Sequence, residues 1–261
     1  MATTGLLGDL GLDADRLIPL VVLLCFSAFM LLANLMQQRG RAAGLRFIPG
    51  FAAARRLVDG AAESGVPVHF SPGTGLLGGR QTGDSLAGLL ALNSVAAHAA
   101  AARARLVVTT PDPVAQAAGQ NIARNAGLAG RAATAQRDDD TVRFLAPEPL
   151  AYAAGVMGLL NREKPSGNLM LGALGDEYLL MGQTAVGLGV PQVAGATTPE
   201  ALPFIVATTP DPIVGEEVFA SGAYLSEAPI YRASLLAQDW LRELIMAIIV
   251  GLVLLQTLRP G

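Results

Sequence analysis

A glycine-rich stretch, SPGTGLLGGR, occupies residues 71–80 and follows a short β-rich run. Its glycines match the spacing G-x-G-x-x-G, in which main-chain N–H groups at the start of a helix bind phosphate, and Arg80 adds a cation for the same group. Residues 79–83 intervene before the predicted helix, whereas a dinucleotide fingerprint opens its helix at once. Two interpretations stay open: a phosphate or nucleotide loop, or a flexible glycine-rich turn at a sheet edge or a subunit contact, where glycines allow close backbone approach.

Acidic residues follow several predicted strands in a recurring turn. The sequence TTPDP occurs at residues 109–113 and 208–212, with TTPE at 197–200 and APEP at 146–149. Proline presets the first turn of a helix and an acid there caps its N–H groups, so the motif is typical of a strand-to-helix connection. Because the carboxyl ends of parallel strands meet at one edge of a sheet, the same acids are also candidates to converge on a cation or a polar ligand.

The loop and the turns together define a candidate ligand-binding set at the carboxyl edge of the sheet. The acids at residues 176–177 are expected to cap the helix that begins there, and a paired-carboxylate acid/base site is the alternative. The candidate set is Gly73, Thr74, Gly75, Gly78, Arg80, Asp112, Glu148, Asp176 and Asp211, with Glu200 as a further acid of the same kind.

Other catalytic chemistries find little support in the residue inventory. A Walker A loop needs Gly-Lys-Ser/Thr, but the single lysine, Lys164, lies outside any such motif. His69 and Ser71 share one face of a predicted strand without a third member of a triad, so His69 is expected to be a strand residue with a hydrogen-bonded ring. His98, on an alanine-rich helix, is expected at the surface or an interface. With two histidines and one cysteine, the chain is predicted to have no metal site, no cofactor and no catalytic residue.

The composition is typical of a membrane protein. Of the 261 residues, 52% are hydrophobic and only 15% are charged. Residues 17–36, LIPLVVLLCFSAFMLLANLM, form an uncharged run of about the 20 residues that a helix needs to cross the hydrocarbon core. The first 15 residues contain three aspartates and no basic residue, which is unlike a cleaved signal peptide. The segment is therefore predicted to be a retained anchor, and Cys25 within it a packing or lipid-facing thiol.

A second apolar segment, WLRELIMAIIVGLVLLQTL, occupies residues 240–258. Its uninterrupted apolar part is short, but the segment can span if Trp240 and Arg242 lie at headgroup level. The alternative is a helix that packs on the first anchor without crossing. The sequence favours a second transmembrane helix.

Basic residues cluster after the first anchor, which sets the predicted orientation. Arginine and lysine are enriched on the cytoplasmic side of membrane spans. The arginines after the first anchor therefore predict that the N-terminus lies outside and the middle of the chain in the cytoplasm, at a bacterial inner membrane. The same arginines are suited to contact anionic headgroups. The predicted membrane-interface residues are Arg39, Arg41, Arg46, Trp240 and Arg242.

Between the anchors, short β-rich runs alternate with alanine-rich helical stretches. This alternation predicts an α/β fold with a mostly parallel, Rossmann-like doubly wound sheet. Predicted strands cover residues 66–71, 106–110, 142–146, 168–173, 192–196 and 204–208, and predicted helices cover 51–63, 85–102, 113–126, 149–161, 176–187 and 212–220. The last two strands are too close for a full crossover helix, so a one-turn connection or an antiparallel pair is left open there.

The predicted organisation along the chain follows from these elements. It is an extracytoplasmic segment (1–16), transmembrane helix 1 (17–36), a basic juxtamembrane linker and helix (37–65), the cytoplasmic α/β domain (66–228), a helical lead-in (229–239), transmembrane helix 2 (240–258) and a tail (259–261).

Three stretches resemble an uncharacterised family of bacterial membrane proteins: SPGTG at residues 71–75, NLMLGALGDEYLL at 168–180 and SLLAQDW at 234–240. The resemblance covers nearly the whole chain, from the first anchor to the last helix. It implies the architecture described above. The family is a domain of unknown function, so the resemblance implies no reaction, cofactor or site residue.

Two functions follow from the residues. The first is a non-enzymatic membrane scaffold or assembly subunit that associates with its own copies, because the domain has few charges and many small residues on its helices. The second is a membrane-anchored domain or enzyme that binds a nucleotide or phosphate ligand through the glycine-rich loop. A net charge of -3 argues against a nucleic-acid partner, and two membrane helices without a central charge argue against a transporter.

Overall fold

The computed structural model describes residues 14–39, 44–129, 141–226 and 228–258. The chain divides into two compact units, one made of Met1–Leu45 with Glu227–Gly261 and the other of Arg46–Ser226. The first unit contains the terminal helices and the second contains the sheet.

Two long apolar helices form the first unit. Helix α1 covers Ala14–Gln38 and helix α9 covers Pro229–Leu258, and the two pack against each other. The spans Leu17–Gln38 and Pro229–Thr257 are long and apolar enough to cross a membrane. The predicted lead-in at residues 229–239 and the predicted second span are parts of one continuous helix.

The membrane-interface predictions have different outcomes within this unit. Trp240 meets Phe29 of α1 edge to face, with ring centroids 5.9 Å apart, so its ring contributes to the packing of the two helices. Arg39, directly after α1, and Arg242, within α9, are both exposed. Arg41 lies outside the described residues.

Six parallel strands form the sheet of the second unit, in the order β3-β2-β1-β4-β5-β6. This is the doubly wound order, in which β2 and β3 are added on one side of β1 and the chain then returns to add β4, β5 and β6 on the other side. The strands are β1 Val68–Gly73, β2 Leu106–Thr110, β3 Val142–Phe144, β4 Gly167–Ala173, β5 Gln192–Ala196 and β6 Ile213–Val214.

Helices cover both faces of the sheet, as the alternating sequence predicts. The helices are α2 Pro49–Ser64, α3 Thr82–Ala102, α4 Pro113–Ala129, α5 Pro149–Glu163, α6 Tyr178–Gly187, α7 Leu202–Thr208 and α8 Ser221–Leu225, and a 3-10 helix covers Gly215–Ala220. Helices α2, α3 and α4 pack on one face against residues such as Phe70 and Leu169. Helices α5, α6 and α7 pack on the other face against residues such as Met170 and Ala194.

Helix α3 has the length and hydropathy of a membrane span, but it is a core helix of the sheet unit. The span Thr82–Ala102 is 56% buried, and α3 packs between α2 and α4 on the sheet. Its sequence is apolar because most of its circumference faces protein.

The predicted end of the α/β domain is wrong in two elements. Residues 204–208, predicted as a strand, belong to helix α7, and residues 212–220, predicted as a helix, form β6 and the 3-10 helix. The run FIVATT is short and apolar, and such a run fits a buried strand or a buried helix equally well. The connection left open is therefore a short helix, and β6 pairs parallel with β5.

Helix α2 has a larger role than the juxtamembrane position predicted for it. Its Phe51 and Val58 are buried in the core of the sheet unit, and the Phe51 ring stacks on Tyr224 at 4.8 Å between centroids. Arg46, at the start of this unit, is exposed and forms an ion pair with Glu217.

Candidate functional site

The carboxyl edge between β1 and β4 is the place where a sheet of this order binds ligands. Here the chain itself fills that crevice. The main-chain N–H groups of Thr74 and Gly75 both donate to the carbonyl oxygen of Ala173, at 2.6 and 3.3 Å. A Cβ atom built on Gly73 would overlap the backbone of Ala173, and one built on Gly75 would overlap its methyl group. The glycines therefore serve close backbone packing, the second of the two interpretations from the sequence.

Two buried carboxylates hold the rest of the loop. Asp112, after β2, accepts hydrogen bonds from the N–H groups of Leu77 and Val114, at 2.8 and 2.9 Å. Glu177, after β4, accepts from the Thr74 hydroxyl at 2.5 Å and from the Gly175 N–H at 2.8 Å. Both side chains are committed to protein donors, and their charges are matched by main-chain dipoles.

Most of the main-chain N–H groups that a phosphate would need are hydrogen-bonded within the protein. Besides Thr74, Gly75 and Leu77, the N–H of Gly78 donates to the Thr82 hydroxyl at 3.0 Å and that of Gly79 to the Leu76 carbonyl at 3.4 Å. One polar atom at this edge differs: Ser85 Oγ, buried beside Gly75, meets no hydrogen-bond partner among the described residues.

The remaining candidate residues are dispersed. Glu148 caps α5 by accepting from the Ala151 N–H at 2.7 Å, as the turn motif predicts. Asp176, Glu200 and Arg80 are exposed.

Asp211 lies at the opposite edge of the sheet from the other candidates, because its turn precedes β6 instead of following a strand. The expectation that all these acids converge at the carboxyl edge is wrong for this residue. Its carboxylate is 3.6 Å from the Arg56 guanidinium. The glycine-rich loop donates hydrogen bonds to two acids, Asp112 and Glu177. Glu177 was absent from the predicted set, although it follows directly after Gly175 and Asp176 in the sequence.

A chain of buried polar side chains crosses the sheet on the face covered by α5 and α6. His69 Nδ1 lies 2.7 Å from Asn168 Oδ1, and His69 Nε2 lies 2.9 Å from the Thr109 hydroxyl. The Tyr152 hydroxyl contacts both Thr109 Oγ1 and Ser71 Oγ at 2.7 Å. All of these side chains are fully buried.

The orientation of the Gln192 side chain, at one end of this chain, determines which atoms donate and which accept in these hydrogen bonds. Gln192 Nε2 donates to the carbonyl oxygens of Gly182 and Thr208, so its oxygen faces the Asn168 amide. Asn168 Oδ1 then accepts from His69 Nδ1–H.

The hydrogen bonds continue from the His69 ring to the carboxyl edge of the sheet. A neutral His69 accepts at Nε2 from the Thr109 hydroxyl, which in turn accepts from Tyr152, and Tyr152 accepts from Ser71. The Tyr152 hydroxyl also donates to the Thr109 carbonyl oxygen, at 3.1 Å. The side-chain donors of the chain point the same way, from the carboxyl edge toward the amino edge of β5. Such aligned bonds strengthen one another in a low-dielectric interior.

Burial sets the ionisation of this chain. Desolvation lowers the pKa of His69 to about 4, against the opposing hydrogen bond to Asn168. Desolvation also raises the pKa of Tyr152 to about 12, against the hydrogen bonds to Ser71 and Thr109. Both groups are therefore neutral at pH 7. The expectation that the His69 ring is hydrogen-bonded is confirmed by its contacts with Asn168 and Thr109. Ser71 bonds to Tyr152 instead of His69.

A cavity of about 650 Å³ opens at the amino edge of β5, opposite the predicted ligand edge. It lies between α2, the connection from α6 to β5 and the connection from α7 to β6. Its lining includes Ala53, Arg56, Leu57, Val186, Val190, Pro191, Gln192, Val206, Thr208, Thr209, Pro210 and Asp211. The sequence pattern does not predict this site, because it places the turn at residues 208–212 at the opposite edge of the sheet.

Comparison with models of protein families gives one match, to the model described as "Domain of unknown function (DUF6754)", over residues 10–260. Neither the curated proteins nor the solved structures contain a match to the chain. The family match confirms the resemblance inferred from the sequence.

The close approach of β1 and β4 predicts unequal costs for two glycine substitutions. Gly73 and Gly78 both have φ of +95°, but a Cβ overlaps Ala173 at Gly73 and meets nothing within 4 Å at Gly78. We expect Gly73→Ala to lower the free energy of unfolding by about 2–4 kcal/mol and Gly78→Ala by about 1 kcal/mol. Denaturant unfolding of the full chain checks this, and equal losses would show that the contact with Ala173 does not limit the loop.

The neutral His69 predicts a pH dependence of stability. Its folded-state pKa of about 4 lies below the ordinary 6.5, so the unfolded chain binds the extra proton between these pH values. The contribution is complete above about pH 6.5 and is lost as the pH falls toward 4, a change of about 3 kcal/mol in unfolding free energy. His69→Gln should flatten this part of the profile, whereas His98→Gln should leave it in place. A profile of His69→Gln parallel to that of the unmodified chain would contradict the assignment.

Proposed function

We propose that this chain, which belongs to the DUF6754 family, is a non-enzymatic membrane-anchored assembly subunit whose α/β domain associates with copies of itself. The observation that carries the proposal is the contrast between the carboxyl edge and the outer face of α3. The loop that would bind a phosphate has most of its N–H groups hydrogen-bonded within the protein, while a mostly apolar, uncharged surface is left exposed.

The proposed contact surface is the outer stripe of α3. Leu86 and Leu90 are 50% and 40% exposed, and Gly83, Asn93 and Ala97 continue the same exposed face along the helix. Phe219, 48% exposed, lies beside Gly83. An uncharged, mostly apolar surface of this kind on a folded domain is typical of a protein contact, and small residues on it allow a second helix to approach closely.

Membrane anchoring supports association of this kind. The two terminal spans confine every copy to one bilayer, which raises the effective concentration of one domain near another. Weak contacts between domains then suffice for a stable assembly.

The nucleotide or phosphate alternative finds less support in the geometry. It requires main-chain donors at residues 73–79, and those of residues 73–75 and 77–79 are hydrogen-bonded within the protein. Arg80 is exposed and is separated from the carboxylates that hold the loop.

Native mass spectrometry of the gently extracted full chain tests the proposal. We expect a defined multiple of 26.8 kDa for the unmodified chain and for the double variant Leu150→Glu, Leu179→Glu, whose sites are 58% and 39% exposed on the other side of the sheet. The double variant Leu86→Glu, Leu90→Glu should fall to the single-chain mass, because two carboxylates cannot be buried in an apolar contact.

The outcomes separate the two functions. A monomeric unmodified chain would contradict the assembly role, and an unchanged multiple in the α3 variant would contradict the proposed surface. A constant nucleotide-sized mass on each chain would favour the ligand-binding alternative.

The same proposal places the α/β domain in the cytoplasm of a bacterium, with the N-terminus outside the inner membrane. The support is the excess of arginine after the first span. In a Cys25→Ser background, a cysteine at exposed Ala154 should react with a membrane-impermeant maleimide in inverted vesicles and not in intact spheroplasts. The reverse pattern would contradict the orientation.

A further inference from the structure

The cavity at the amino edge of β5 has a chemistry that the assembly role does not use. Aliphatic side chains form most of its lining, from α2, from the end of α6 and from α7. The contributing residues are Ala53, Leu57, Val186, Val190, Pro191, Val206, Ala207 and Pro210. A volume of about 650 Å³ lies in the range of small-molecule sites, which are mostly apolar with a few placed polar groups.

The polar side chains on the floor of the cavity form hydrogen bonds with other groups of the protein. Gln192 Nε2 donates to two main-chain carbonyls, at 3.0 and 2.9 Å. The Thr208 hydroxyl donates to the Phe204 carbonyl and contacts the Tyr178 hydroxyl, and Thr209 Oγ1 contacts the same hydroxyl. The floor is thus the end of the buried polar chain, and it holds its side chains in place without requiring a ligand.

One charged pair remains at the mouth. The Arg56 guanidinium and the Asp211 carboxylate are 3.6 Å apart, longer than a hydrogen bond, and their side chains are 66% and 35% exposed. A guanidinium has five N–H donors in a fork that matches a carboxylate. A second carboxylate can therefore bind to Arg56 in competition with Asp211.

We propose that this cavity binds an aliphatic carboxylate, with its hydrocarbon chain among the valine and leucine side chains and its carboxylate on Arg56. The proposal does not depend on self-association, and it concerns the edge of the sheet opposite the glycine-rich loop. Asp211 has a defined part in it: the carboxylate of Asp211 competes with that of the ligand for the same guanidinium.

Equilibrium dialysis of radiolabelled octanoate against the full chain in phosphatidylcholine nanodiscs tests the site, with empty nanodiscs subtracted. We expect saturable binding of one octanoate per chain. Unlabelled octanoate should displace the label, and octylammonium and octanol should displace it less well.

Charge variants test the recognition of the carboxylate. Arg56→Gln should weaken binding about two- to fivefold, and Asp211→Asn should strengthen it by a similar factor because the competitor is removed. Arg80→Gln, an exposed arginine at the other edge, is the matched control and should bind as the unmodified chain does. Weaker binding by Asp211→Asn, or equal binding by the two arginine variants, would overturn the proposal.

A steric pair tests the location. Val206 lines the cavity and is 58% exposed, whereas Val114 is 60% exposed on α4 and lies outside the lining. Val206→Trp should abolish octanoate binding and Val114→Trp should not. Unsaturable octanoate uptake, octylammonium that displaces the label as well as octanoate, or normal binding by Val206→Trp would each show that the cavity is not a carboxylate site.

Discussion

Hydrogen bonding of buried polar side chains across the four central strands is the constraint on which the sheet unit depends. Ser71, Tyr152, Thr109, His69 and Asn168 are completely buried. The contacts of His69 join β1 to Thr109 of β2 and Asn168 of β4, and the Asn168 amide meets Gln192 of β5, so these bonds form only in the observed register. A shift of one residue would turn these side chains to the opposite face. Each would then lose its partner, at about 1–3 kcal/mol for every unsatisfied group. The chain thus selects one sheet arrangement among many that would bury the same apolar residues.

The same central strands determine which edge of the sheet is available. At the carboxyl edge, the backbone after β1 lies directly on Ala173 of β4, which requires glycine at residue 73. Asp112 and Glu177 then secure the loop, because a buried carboxylate is stable when main-chain N–H groups surround it. The crevice of this doubly wound order is closed by its own connection. At the amino edge, the short α7 and the turn before β6 leave the space from which the 650 Å³ cavity is formed.

The two units rely on the hydrophobic effect in different ways. In the terminal helices, large apolar side chains such as Ile18, Leu31 and Ile249 are more than half exposed, as suits a lipid environment. In the sheet unit, the apolar residues of α3 mostly face protein, and Leu86 and Leu90 are exceptions on its outer stripe. The proposed assembly and the proposed carboxylate site use separate surfaces of this unit, the face of one central helix and the amino edge of the sheet.

Composition and periodicity alone predicted the two long apolar helices near the ends of the chain, the α/β class and most elements, with β2 and β5 placed at their observed limits. These features are local, because a span needs only length and apolarity, and a strand-to-helix turn needs only proline and an acid. The run FIVATT was misassigned because a short apolar segment takes its conformation from its neighbours, and Asp211 moved to the other edge with it. Only the tertiary structure decided that Gly73 and Gly75 lie against Ala173 and that Glu177 holds the loop together with Asp112. It also decided that Arg56 meets Asp211 at a cavity. Those contacts join residues about 100 or more positions apart in several cases, and the spacing of residues within one segment carries no information about them.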